Sequence, residues 1–174
     1  MSEKTASVFR YLAYIIEIVL VFVLSSTPRL LPELWGAKPC LLLCIAVTIS
    51  IFEREIPSMV FGILCGVLLD LGYSNAIGVF TVSLTLLCFV IGFASNNLIR
   101  ANFQNFLITS FLVTVAVFML YFLFEYVFKS YPDPWIFFRD NLISRMAQTF
   151  VCSVIFYFIN RFFYRMLSSE EAYQ

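Results

Sequence analysis

Glu53–Gly78, EREIPSMVFGILCGVLLDLGYSNAIG, is the stretch on which the fold turns. It opens on three consecutive charges, Glu53-Arg54-Glu55, and carries no further charge until Asp70. The runs on either side of the triplet are apolar enough to sit in lipid. A single helix drawn through it would place three charges in mid-membrane, at a cost on the order of a few kcal/mol each, and Pro57 would interrupt its hydrogen bonding. Two short helices joined by a tight polar turn avoid both penalties. In the second of them Ser58, Gly62, Gly66 and Asp70 recur every four residues, which puts them in one stripe with a GxxxG at its centre. Glycines in such a stripe let a neighbouring backbone approach closely, either inside the monomer or on a partner. Asp70 ends the stripe and needs a partner or water.

Outward from this stretch, composition makes lipid the natural solvent. The 174 residues are 61% hydrophobic and 13% charged, with a mean hydropathy of +0.93. A water-soluble domain of this size would have too few polar side chains to cover its exterior, whereas a bilayer removes the need for that cover. Net charge is zero and the basic residues are scattered singly, which excludes the electrostatic footprint of a nucleic-acid binder. The five cysteines lie in apolar runs without a CxxC pair and read as small buried hydrophobes. Histidine is absent, which removes the usual proton shuttle and the commonest metal ligand.

Gaps between charges mark six candidate spans: Tyr11–Thr27, Cys40–Phe52, Ile56–Asp70, Ile77–Ile99, Phe103–Phe128 and Asn141–Tyr164. The reading is therefore an all-α integral membrane protein, one polytopic domain folded as a six-transmembrane-helix bundle. Six spans put both termini on one side. Lys4, Arg10, Arg54, Arg100, Arg161 and Arg165 fall on that side and Arg29, Lys38, Lys129 and Arg139 on the other, so the positive-inside rule favours cytoplasmic termini. Trp35 and Trp135 then occupy outer loops, where an interfacial aromatic belt is expected.

Polar residues within the spans need explanation. Glu17 sits about a third of the way along the first run and is expected to face the bundle or a partner, with Arg145 as a candidate counter-charge. Glu53 and Glu55 flank the turn before the third helix, where acids favour the positive helix end. No nucleophile–base pair, metal cluster or phosphate cradle is visible, so catalysis and bound cofactors are not expected.

The acidic turn at Glu53 or Glu55, followed by Gly62, Gly66 and Asp70 as GxxxGxxxD, then a turn with Gly78 opening the next span, resembles the rod shape-determining protein MreD family. Length, span number and the lack of soluble domains resemble it too. The resemblance implies a non-enzymatic component of the bacterial elongation machinery in the cell membrane, which builds lateral peptidoglycan and maintains rod shape. It implies MreC as the direct partner, with MreB, the glycosyltransferase RodA and a penicillin-binding transpeptidase reached through that complex. The family is also similar in fold to the substrate-binding subunits of energy-coupling-factor vitamin transporters, which supplies the alternative function. Those subunits usually carry a small-residue AxxxA stripe on the first helix. Here that segment reads YLAYIIEIVLVFVLSST and lacks one, which favours the shape-protein reading.

Overall fold

The computed structural model describes residues 3–27, 38–73, 78–97, 103–124 and 142–169. Among them are six helices and no strand: α1 (Glu3–Ser26), α2 (Leu41–Phe52), α3 (Glu55–Tyr73), α4 (Val79–Asn97), α5 (Phe103–Phe122) and α6 (Ile143–Ser169). Trp35, Trp135 and the loop cations Arg29, Arg100, Lys129 and Arg139 lie outside the described residues, as do the side chains of Lys4 and Arg165.

The charged triplet does break the chain. α2 ends at Phe52, Glu53 is its extended C-cap, and α3 starts at Glu55. Pro57 falls in the first turn of α3, where its missing N–H costs no intrahelical bond. α1 begins before the apolar run, at Glu3, and α6 continues past Tyr164 to Ser169. Helical hydrogen bonding is indifferent to hydropathy, so these helices carry on beyond the segment that lipid would cover.

Side-chain contacts set the directions of the helices. Ser110 meets Ser153 and Phe106 stacks on Tyr157, so α5 and α6 are antiparallel. Cys40 meets Thr149 and Thr48 meets Asn160, so α2 and α6 run the same way. Tyr14 packs edge-on against Phe61 and Phe22 approaches Gly72, which makes α1 and α3 parallel. Consecutive helices alternate in direction throughout. Arg10 of α1 and Tyr164 of α6 consequently lie at one end of the bundle, with the guanidinium carbon 5.4 Å from the ring centroid.

α2 is the axis of this arrangement. Every residue from Leu41 to Ile51 is buried, against α1, α3, α4, α5 and α6. Its 12 residues extend about 18 Å, well short of a hydrocarbon core of about 30 Å. Wrapped by protein rather than lipid, a short helix incurs no mismatch with the bilayer. Three helical segments are long and apolar enough to cross a membrane, Val8–Ser26, Glu55–Gly72 and Phe103–Phe122, while Leu41–Phe52 and Val79–Ser95 are apolar but shorter, among the described residues.

The distribution of polarity is that of a protein dissolved in lipid. Leu12, Ile16, Leu20, Val82, Leu86, Ile108, Leu112 and Val151 are all at least half exposed, whereas Thr48, Ser50, Ser58, Ser110, Thr149, Ser153 and Asn160 are fully buried. Hydroxyls turn inward because lipid offers them no partner, and Thr48, Ser50, Thr149 and Ser153 all donate to backbone carbonyls of their own helices.

Candidate functional site

The glycine stripe of α3 lies against α4, and the fit leaves no room for a side chain. A Cβ on Gly66 would fall 2.5 Å from Thr81 Cα and 3.1 Å from the Phe80 carbonyl oxygen. One on Gly62 would fall 2.9 Å from Cys88 Cβ. At the head of the seam the roles reverse, and α4 contributes the glycine: a Cβ on Gly92 would lie 2.8 Å from Ser58 Oγ and 3.0 Å from Glu55 Cα. Ser58 Oγ is itself tied down, 3.3 Å from both the Ser50 and Glu53 carbonyl oxygens. Ser58, Gly62 and Gly66 thus form one side of an intramolecular seam, with Glu55 at its head.

Asp70 closes the other end. Its Oδ1 accepts from the Phe80 N–H at 3.1 Å, and its Oδ2 accepts from the Thr81 N–H at 3.0 Å and from the Thr81 hydroxyl. α4 starts at Val79, so these are donors of its first turn, which lack partners within the helix. A carboxylate there also opposes the positive end of the helix dipole. The cap comes from the preceding helix rather than from the residue before α4. Gly78, with φ of +100°, holds a conformation that side chains rarely adopt and lets the chain turn into α4.

A second polar group binds α1 to the rest. Arg10 Nε stands 2.6 Å from Glu53 Oε1 and its Nη2 donates to Oε2 at 3.4 Å, with both side chains largely withdrawn from the surface. Glu53 is therefore the anion of a buried ion pair as well as the residue that ends α2. Deeper in the bundle, Asn160 Nδ2 of α6 donates to Glu17 Oε1 at 3.2 Å and to Thr48 Oγ1 at 3.1 Å, joining α1, α2 and α6.

The expected pairing of Glu17 with Arg145 does not form. Arg145 precedes Asn160 by 15 residues of continuous helix, about 22 Å along the axis, which puts it near the opposite end of α6 from the residue that contacts Glu17. A neutral amide satisfies the carboxylate instead. Arg145 contributes its carbonyl oxygen to the Thr149 hydroxyl at 2.7 Å. Sequence reasoning missed Asn160, Thr48 and Gly92, and it counted Arg10 only among the cations on the side of the termini. A lone amide in the apolar run before Arg161 was the signal available for Asn160.

These contacts lock helices together; among the described residues no group of three acids or cysteines is placed to hold a metal ion. A scan of protein-family models matches residues 5–167 to "rod shape-determining protein MreD". The chain belongs to the MreD family. Membership and the apolar helices together make it a membrane protein of the rod-shape machinery. The MreD match takes in all of the seam, the Asp70 cap, the Arg10–Glu53 pair and Asn160. No curated protein and no solved structure matches the chain.

Proposed function

We propose that this chain is a non-enzymatic scaffold of the elongation machinery. It crosses the cell membrane six times with both termini in the cytoplasm, binds MreC directly, and so helps to organise peptidoglycan synthesis. MreB, RodA and a penicillin-binding transpeptidase are reached through that complex. The family match over nearly the whole chain carries the reading. Six helices of alternating direction among the described residues support an even number of crossings, and the six-to-four distribution of basic residues supports their orientation. Interior polar contacts that join helix to helix suit a part that holds others in place.

Co-purification with MreC from membranes tests the partner, and complementation of a shape-defective depletion strain tests the role. Reporter fusions at each terminus test the topology. Failure to retain MreC together with tight retention of a vitamin-like molecule would overturn the scaffold reading in favour of a transporter subunit. A reporter result with the termini on opposite faces would remove the six-span arrangement.

A further inference from the structure

A cavity of about 350 Å³ opens between α4 and α5, floored by Ile51 of α2. Its polar lining is confined to one end, where Ser95, Asn105 and Thr109 stand, and its deeper part, past Leu87 and Leu112 to Ala116, is apolar. From Asn105 to Ala116 the groove follows 11 residues of α5, about 16 Å. That is close to half of a hydrocarbon core of about 30 Å. The polar end is the end of the bundle that carries Arg10 and Tyr164, and it is also the end of the α2–α3 turn. Ser95 Oγ donates to the Ile51 carbonyl oxygen at 2.7 Å, and exposed Arg54 follows three residues later, within about 11 Å of extended chain.

We propose that this groove holds one acyl chain of an anionic phospholipid from the leaflet on the side of the chain termini. The depth fits one leaflet. The polarity fits a molecule with its head at Ser95 and Asn105 and its tail at mid-bundle, and Arg54 supplies the charge that a phosphodiester requires. A transmembrane helix of a partner would run the full hydrocarbon core of about 30 Å, about twice the length of this groove, so the groove matches a single acyl chain better than a spanning helix. The binding is independent of the assignment of MreC as partner.

The test uses the full chain, reconstituted in nanodiscs of phosphatidylglycerol and phosphatidylethanolamine, extracted in mild detergent and weighed by native mass spectrometry. One phospholipid is expected to stay bound, with phosphatidylglycerol preferred. Ala116→Phe fills the deep end and is expected to lower occupancy about tenfold, which corresponds to about 1.4 kcal/mol. Val82→Phe, on an exposed position of α4 outside the groove, is expected to leave occupancy unchanged. Arg54→Gln is expected to abolish the preference for phosphatidylglycerol while keeping the bound lipid. Equal retention by the Ala116→Phe and native chains, or no retention by the native chain, overturns the proposal; an unchanged preference in Arg54→Gln overturns the headgroup assignment. Should Ala116→Phe fail to fold, a phospholipid with a diazirine at mid-chain is photolysed with the native protein. Label on peptides of α4 and α5 that line the groove supports the site, and label found only elsewhere overturns it.

Discussion

Gly66 of α3 and Thr81 of α4 approach so closely that a single added methyl would come within 2.5 Å of Thr81 Cα. The contact is backbone against backbone, so no side chain can swing aside to relieve it. In lipid, where apolar surface gains nothing by leaving the solvent, packing of this kind is what holds two helices together.

Gly66→Leu is therefore expected to separate α3 from α4 and to destabilise the protein by more than the about 1–3 kcal/mol of ordinary overpacking. Gly62→Leu is expected to act in the same direction. Gly72→Leu serves as the control, because the nearest atom to its added Cβ is the edge of the Phe22 ring at 3.8 Å. Quantifying each variant in membranes, alongside rescue of rod shape, checks this. As the seam lies within one chain, the expected outcome for Gly66→Leu and Gly62→Leu is degradation. Normal accumulation with full rescue would show the glycines to be incidental.

Removal of the Asp70 carboxylate exposes the first N–H groups of α4 to an apolar surrounding. Asp70→Ala is expected to lower stability by about 0.5–2 kcal/mol, the usual cost of losing a helix cap. Asp70→Asn keeps one acceptor oxygen and should lie between the two. Thermal unfolding of the detergent-solubilised variants orders the three, and a ranking with Asn below Ala would contradict the capping role.

Breaking the Arg10–Glu53 pair by one residue strands the other charge. Glu53→Leu or Arg10→Met alone is expected to cost about 3–5 kcal/mol, and the double variant to recover most of that loss. A double-mutant cycle on thermal stability measures the coupling. Additive losses would mean that the two side chains do not act as a pair.

Asn160→Leu deprives both Glu17 and Thr48 of their shared donor and is expected to cost about 1–3 kcal/mol, the penalty for unsatisfied buried groups. Glu17→Gln preserves an acceptor oxygen facing Asn160 and should be close to neutral. Membrane levels and melting temperature distinguish the two, and a Glu17→Gln variant harmed as badly as Asn160→Leu would demand a role for the charge itself.

The sequence by itself determined the solvent, the break at Glu53-Arg54-Glu55 and the shared face of Ser58, Gly62, Gly66 and Asp70. Each of these follows from local quantities: apolar content, charge placement and the 3.6-residue repeat. It also showed that Glu17 and Asp70 required partners. Only the tertiary structure decided which partners they took. Periodicity marks the face of a helix but carries no information about what lies opposite, so the seam's other side, Phe80, Thr81, Cys88 and Gly92 of α4, was invisible in the stripe itself. Charge arithmetic pointed Glu17 at Arg145, while the helix axis carried Arg145 about 22 Å from the Asn160 amide that Glu17 meets. The short α2 run, awkward as a lipid-facing span, became intelligible once five helices were seen around it, because a helix enclosed by protein need not match the bilayer.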